Sequence, residues 1–139
     1  MKAIHLRSRN SLMFSSPILG YAICMQPSVL DLQKLPESDA RRLVLRLKGK
    51  LGLETVHGFI QSVRPETASQ LILDMSEVSF LDSAGVGALV HVFVHRRNHG
   101  RAFALTGLSV QSNAALQVAG LTKLLPIHAS VREALTELA

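Results

Sequence analysis

Residues 71–89 read LILDMSEVSFLDSAGVGAL. Leu71-Ile72-Leu73 is a continuous apolar run, the pattern of a central strand covered on both faces. The strand is expected to run into Ser76-Glu77-Val78-Ser79 and a tight turn, after which a helix begins at Ser83. Asp82 or Ser83 would be its N-cap, because either side-chain oxygen accepts hydrogen bonds from the free amides of a first turn. Gly85 and Gly87 each cost a helix about 1 kcal/mol against alanine, so the pair calls for a reason. The residues alone leave two readings open. One is a capped helix packed tightly on its own sheet. The other is an exposed serine hydroxyl beside a flat landing surface, suited to docking and to phosphate addition.

Outward from that stretch, short strands and helices alternate. The helix from Ser83 to Asn98 has Val86, Leu89, Val90, Phe93 and Val94 as its expected apolar stripe, and Gly100 closes it. Upstream, Val29–Leu35 reads as a first strand with a turn at Pro36-Glu37-Ser38-Asp39. Arg42–Leu51 reads as a second: Leu43, Leu45 and Leu47 share one face, while Val44, Arg46 and Lys48 share a face expected to be exposed. Leu53–Val63 has helical spacing and stops at Arg64-Pro65. Downstream come a strand at Ala102–Leu105, a helix over Asn113–Ala119, Leu124-Leu125 re-entering the core, and a last strand at Ile127-His128. Ser130-Val131-Arg132-Glu133 has the form of a capping box opening a final helix, with Ala134, Leu135 and Leu138 inward. The order β-β-α-β-α-β-α-β-α predicts an α/β domain with about four helices packed on a mostly parallel sheet.

Composition narrows the function classes. A chain of 139 residues with 47% hydrophobic and 18% charged residues is one folded domain. Its single cysteine, Cys24, excludes an internal disulfide and a zinc quartet. The formal charge is +5, but three of the 15 basic residues precede Met25, leaving 12 against 10 acidic ones in residues 25–139. With five Phe, one Tyr, no Trp and no basic block, direct nucleic-acid binding is not expected. No apolar run is long enough for a membrane span. Residues 1–24 are basic, then moderately apolar, without a sustained period. They are read as a disordered extension or an over-extended start with Met25 as the alternative, although a targeting signal or a packed extension also fits. Residues 25–139 form the domain.

Chemistry-bearing motifs are sparse. The chain has no HExxH, CxxC, GxxxxGK[ST] or GxGxxG. Asp82 and Ser83 are neighbours without a histidine to relay between them, so no nucleophilic triad forms there. His91, His95 and His99 make an i, i+4, i+8 row, read as a solvated face rather than a metal site. No catalytic residue, metal site or cofactor is expected.

Residues 71–89 resemble the core signature of STAS domains, specifically of bacterial anti-sigma factor antagonists. The pattern is an apolar strand ending in Asp, a short loop, then (Ile/Leu/Val)-Asp-Ser-(Ser/Ala/Thr)-Gly-(Leu/Val)-Gly, met here by Leu81, Asp82, Ser83, Ala84, Gly85, Val86 and Gly87. Ala119-Gly120-Leu121, Leu124-Leu125-Pro126-Ile127, and Ser130 with Glu133-Ala134-Leu135 extend the likeness, as does Arg42–Leu51 with its Gly-x-Leu turn. The match spans about residues 28–138. The resemblance implies a single STAS-like domain that is cytoplasmic and not an enzyme. Its serine, Ser83, would be the phosphoacceptor, and Asp82, Ser83, Ala84, Gly85, Val86 and Gly87 would meet the partner. That partner would be an anti-sigma factor of the GHKL serine-kinase type. Unphosphorylated antagonist binds it and frees a sigma factor; phosphorylation releases it, with a serine phosphatase as a further expected partner. One departure is Gly52, where these antagonists usually carry Asp after Gly-x-Leu. STAS-like domains also serve as accessory subunits of lipid-transport ABC systems, or as modules in larger signalling scaffolds, and both remain alternatives.

Overall fold

Leu43, Leu45 and Leu47 point to one face of their strand, as alternation demands, and that face is the floor of the main core. The computed structural model describes residues 29–138 and the backbone of Ala3 and Ile4. The expected extension over residues 1–24 otherwise lies outside the described residues, as do Met25 and Cys24. The elements are β1 (Ala3–Ile4), β2 (Leu30–Lys34), β3 (Arg42–Leu51), α1 (Val56–Val63), β4 (Gln70–Leu81), α2 (Ser83–Asn98), β5 (Ala102–Thr106), α3 (Val110–Val118), β6 (Ile127–His128) and α4 (Val131–Leu138). From β2 onward this is the order read from the sequence.

The sheet runs β1-β2-β3-β4-β5-β6, a five-stranded body to which the two-residue β1 adds an edge. The β1/β2 and β2/β3 pairs are antiparallel and the rest parallel. Three β-α-β connections step in one direction along the sheet and place α1, α2 and α3 on the same face. Phe59 and Val63, then Val86, Leu89 and Val92, then Leu116 meet the leucine floor there. The other face is covered by α4, whose Ala134 packs with Leu35, Val44, Ile72 and Ala104, flanked by Leu135 and Leu138. Val44 therefore lies buried on a face expected to be open, and only Arg46 and Lys48 remain toward solvent.

Four other expectations shift. No turn interrupts residues 76–79: β4 continues to Leu81 and carries extra residues against β3, with register shifts between Arg46 and Lys48 and between Gly49 and Lys50. Such bulges replace alternation by three-residue spacing, so Met75, Val78 and Leu81 all face inward. Helix α1 starts at Val56, because Gly52–Thr55 closes a turn through Thr55 N donating to Gly52 O at 2.9 Å. Helix α3 starts at Val110, capped by Ser109 Oγ, which accepts from Ser112 N at 3.1 Å. The buried line of α2 is Gly85, Ala88, Leu89, Val92 and Arg96, with Val86 at its edge, rather than a stripe through Val90 and Val94.

Candidate functional site

The parallel strands β3 and β4 end side by side, with Leu51 opposite Leu81, and the chain turns from Leu81 straight into α2. Asp82 is the N-cap, with extended backbone. Its Oδ1 accepts from Gly85 N at 2.9 Å, satisfying a first-turn amide. Its Oδ2 accepts from Leu53 N at 3.1 Å, so one carboxylate ties α2 to the turn before α1. Gly52 makes that possible, since a Cβ there would lie 2.6 Å from Asp82 Oδ2. The turn is itself braced by Thr55 Oγ1, which accepts from Gly52 N at 3.0 Å and donates to Lys50 O at 2.8 Å.

The two glycines in the first turns of α2 differ in surroundings. Gly85 is buried, and a Cβ on it would lie 2.2 Å from Leu51 O. Gly87 is exposed, and a Cβ there would meet nothing within 4 Å. Ser83 occupies the first helical position and is exposed, at the partly positive end of a 16-residue helix with no acidic residue in its first turn. The expected partner-facing set thus divides: Ser83 and Gly87 are exposed, Asp82 and Ala84 half-buried, Gly85 and Val86 buried.

Ser83 lines one hollow, and its neighbour Asp82 lines that one and a second. A groove of about 650 Å³ runs between α2 and α3, lined by Ser83, Val86, Gly87 and Val90 on one side and Gln111, Ala115 and Val118 on the other. Val118 is 90% exposed at its rim. Gln111 holds the groove's far wall to the strand end: its Oε1 accepts from Leu81 N at 3.0 Å and its Nε2 donates to Leu81 O at 2.9 Å. The second hollow, about 230 Å³, lies beyond Asp82 among Lys50, Leu53, Glu54, Thr55 and Phe80. Leu53 is 77% and Phe80 45% exposed, so apolar side chains stand among the polar ones beyond Asp82.

Sequence reasoning missed Gln111, Leu53 and Phe80, and no local signal marks them; each matters through a partner about 30 residues away. Among the described residues no group of three His, Cys, Asp or Glu is placed to hold a metal ion. His91 and His99 are exposed and His95 half-buried, with the His95 and His99 rings 4.4 Å apart. At the sheet's α4 face, Arg46 Nε donates to Asp74 Oδ2 at 2.9 Å. Burial pushes the Asp74 carboxyl up, but hydrogen bonds from Ser76 and Arg46 outweigh it and hold the group below its ordinary value. Among the described residues no helix is long and apolar enough to cross a membrane.

The family described as STAS domain matches residues 27–134. An anti-sigma F factor antagonist of Paenibacillus polymyxa is 25% identical over 113 residues, covering 78% of this chain and 97% of that protein. Among solved structures, an anti-sigma factor antagonist from Mycobacterium paratuberculosis superposes with a TM-score of 0.66 at 21% identity, over 76% of this chain and 92% of its own. The anti-sigma factor antagonist SpoIIAA is similar in its unphosphorylated form, with a TM-score of 0.65 at 21% identity, over 77% and 95% of the two chains. The phosphorylated form of this Bacillus cell fate determinant gives 0.57 at 22% identity, over 78% and 99%.

Proposed function

We propose, from the premise that this chain belongs to the STAS domain family, that it is a non-catalytic anti-sigma factor antagonist switched by phosphorylation of Ser83. The observation that carries this reading is the placement of Ser83: exposed, first in its helix, and on the lining of the largely apolar groove between α2 and α3. The names of the relatives support it, since the curated one and both solved neighbours are anti-sigma factor antagonists and SpoIIAA has a phosphorylated form. The partner is an anti-sigma factor of the GHKL serine-kinase type, and a serine phosphatase resets the cycle. Asp82, Ser83, Ala84, Gly85, Val86 and Gly87 are the contact segment, the buried members shaping it and the exposed ones touching the partner. The chain acts in the cytoplasm, where sigma factors work.

A phosphoserine carries about −1.5 to −2 charges at neutral pH, which a helix N-terminus tolerates. A partner surface fitted to a neutral hydroxyl does not. The added charge beside Asp82 repels and desolvates it, and a loss of about 1.4 kcal/mol is already tenfold in affinity. The test is incubation with a GHKL-type anti-sigma kinase from the same genome and ATP. One phosphate is expected, at Ser83, by mass spectrometry of the digested protein. Ser83→Ala is expected to abolish labelling, keep kinase binding and act as a constitutive antagonist; Ser83→Asp is expected to bind at least tenfold more weakly. Phosphate on Ser79 or Thr106 with Ser83 silent, or Ser83→Asp binding as tightly as wild type, would sink the switch and favour the lipid-transport scaffold alternative.

A further inference from the structure

The three helices over the main core, α1, α2 and α3, contain no Asp or Glu, although the chain has ten. Basic side chains gather on the flank where α2 meets the end of α1. His91, His95 and His99 follow one another up α2 while Arg64, at the end of α1, and Arg101, after α2, act on His95 from outside the helix. His99 Nδ1 lies 2.8 Å from His95 O, which leaves its Nε2 free to point outward. Neither Arg64 nor Arg101 makes an ion pair among the described residues. Glu66 accepts from Arg101 and the buried Arg96 through its backbone carbonyl, and its charge acts on Arg96. Val94, 43% exposed, adds an apolar contact one residue before His95. Arg64, Arg101 and the buried Arg96 carry the fixed charge here, with the Glu66 carboxylate acting on Arg96, and each histidine that gains a proton adds to a field of the same sign.

We infer that this flank, His91, His95 and His99 with Arg64 and Arg101, is a docking surface for an acidic face of a protein partner. The inference rests on the antagonist reading and deepens it. Ser83 and His91 lie on one helix, eight residues and about 12 Å apart, so one ordinary interface of about 800 Å² per side covers both. Charge complementarity is what selects the occupant. A nucleic acid would call for fixed Lys/Arg charge along a track and exposed aromatics for stacking, and an anionic bilayer for a polybasic cluster. Here three of the five basic positions are histidines and the exposed apolar residue is a valine. Desolvation, then the charges of His99, Arg64, His91 and Arg101, hold His95 below its ordinary value. It is therefore neutral at neutral pH, gains its proton as pH falls, and gains it earlier once an acidic partner is seated. Docking strengthens on acidification.

The test uses the full chain, isotopically labelled, with poly-L-glutamate as the probe at pH 6 and pH 8. Amide shifts are expected at 91–101 and around Arg64, with binding at least fivefold tighter at pH 6. Arg64→Glu/Arg101→Glu is expected to lose binding at least fivefold at both pH values. His91→Gln/His95→Gln/His99→Gln, which leaves the arginines in place, should keep the pH 8 affinity and lose the pH dependence. Shifts confined to the Arg42–Lys50 strand, or reversal without loss, would overturn the surface. A DNA duplex or phosphatidylglycerol vesicles displacing polyglutamate at lower charge concentration would overturn the choice of partner. Ser83→Asp separates the two readings. A chain that loses polyglutamate on charge reversal yet ignores Ser83→Asp in the kinase assay keeps this surface and loses the switch; the opposite pattern keeps the switch and removes the surface.

Discussion

A methyl group added at Gly85 would lie 2.2 Å from Leu51 O, whereas one added at Gly87 meets nothing within 4 Å. Gly85→Ala must push α2 away from the end of β3, and overpacking of this kind costs about 1–3 kcal/mol. Gly87→Ala removes only the helix penalty of glycine and is expected to stabilise by up to about 1 kcal/mol. Urea unfolding of the two variants reads the contrast directly, and equal effects would contradict it. Gly87 lines the groove, so the same stabilising methyl is expected to weaken partner binding. Both glycines and a cap at Asp82 or Ser83 are legible from sequence, because a cap and a helix penalty are local properties; the choice of Asp82 is the structure's. The difference between the glycines is not, since it depends on a carbonyl 34 residues away. The same holds for Gly52, whose missing side chain gives Asp82 its second hydrogen bond.

At the scale of elements, α2 is fastened at both ends by charge. Arg96 is 1% exposed, and its Nε donates to Ala102 O at 2.9 Å while its two terminal nitrogens reach Glu66 O and Ala68 O. Burial, aided by Arg101, lowers its pKa to about 10, still charged at neutral pH. Arg96→Ala leaves three carbonyls without their donor at about 1–3 kcal/mol each where water cannot replace it, so denaturant unfolding is expected to fall by 3 kcal/mol or more. A loss under 1 kcal/mol would mean water takes over. Burial of an arginine in a helix whose apolar residues suggest another stripe is illegible from periodicity, which treats charge as a mark of the surface. The last six residues of β4 are hidden for a related reason, because bulges replace the period of two that identifies strands. Asp74 contributes to the acid limb of stability. Its folded value is lowered, so its contribution is present above the unfolded value of 3.8 and is lost as pH falls through the lower folded one. Asp74→Asn is expected to be less stable at pH 7 and to show a shallower decline between pH 5 and pH 2, measured by urea unfolding across that range. An unchanged slope would exclude Asp74.

For the whole molecule, both core clusters are built from residues 30–134, and Ala3–Ile4 touches the sheet only through Leu32 and Gln33 of β2. A chain beginning at Met25 is therefore expected to melt within a few degrees of the full chain and to keep its partner affinity; a larger drop would show that the extension packs on the domain. The α/β order, the four helices and the parallel centre are legible because each strand and helix carries its own period, and topology follows from their alternation. The pairing of loops across the site end is not, because it arises only once β3 and β4 lie in register. The sheet's two borders are each two residues long, β1 meeting only Leu32 and Gln33, β6 only Leu105 and Thr106. Such stubs offer a neighbouring molecule little backbone to extend, the usual seed of strand-to-strand aggregation. For the switch proposed above, which would compete for its target by mass action, short borders lower the tendency of the chain to precipitate on itself at high concentration.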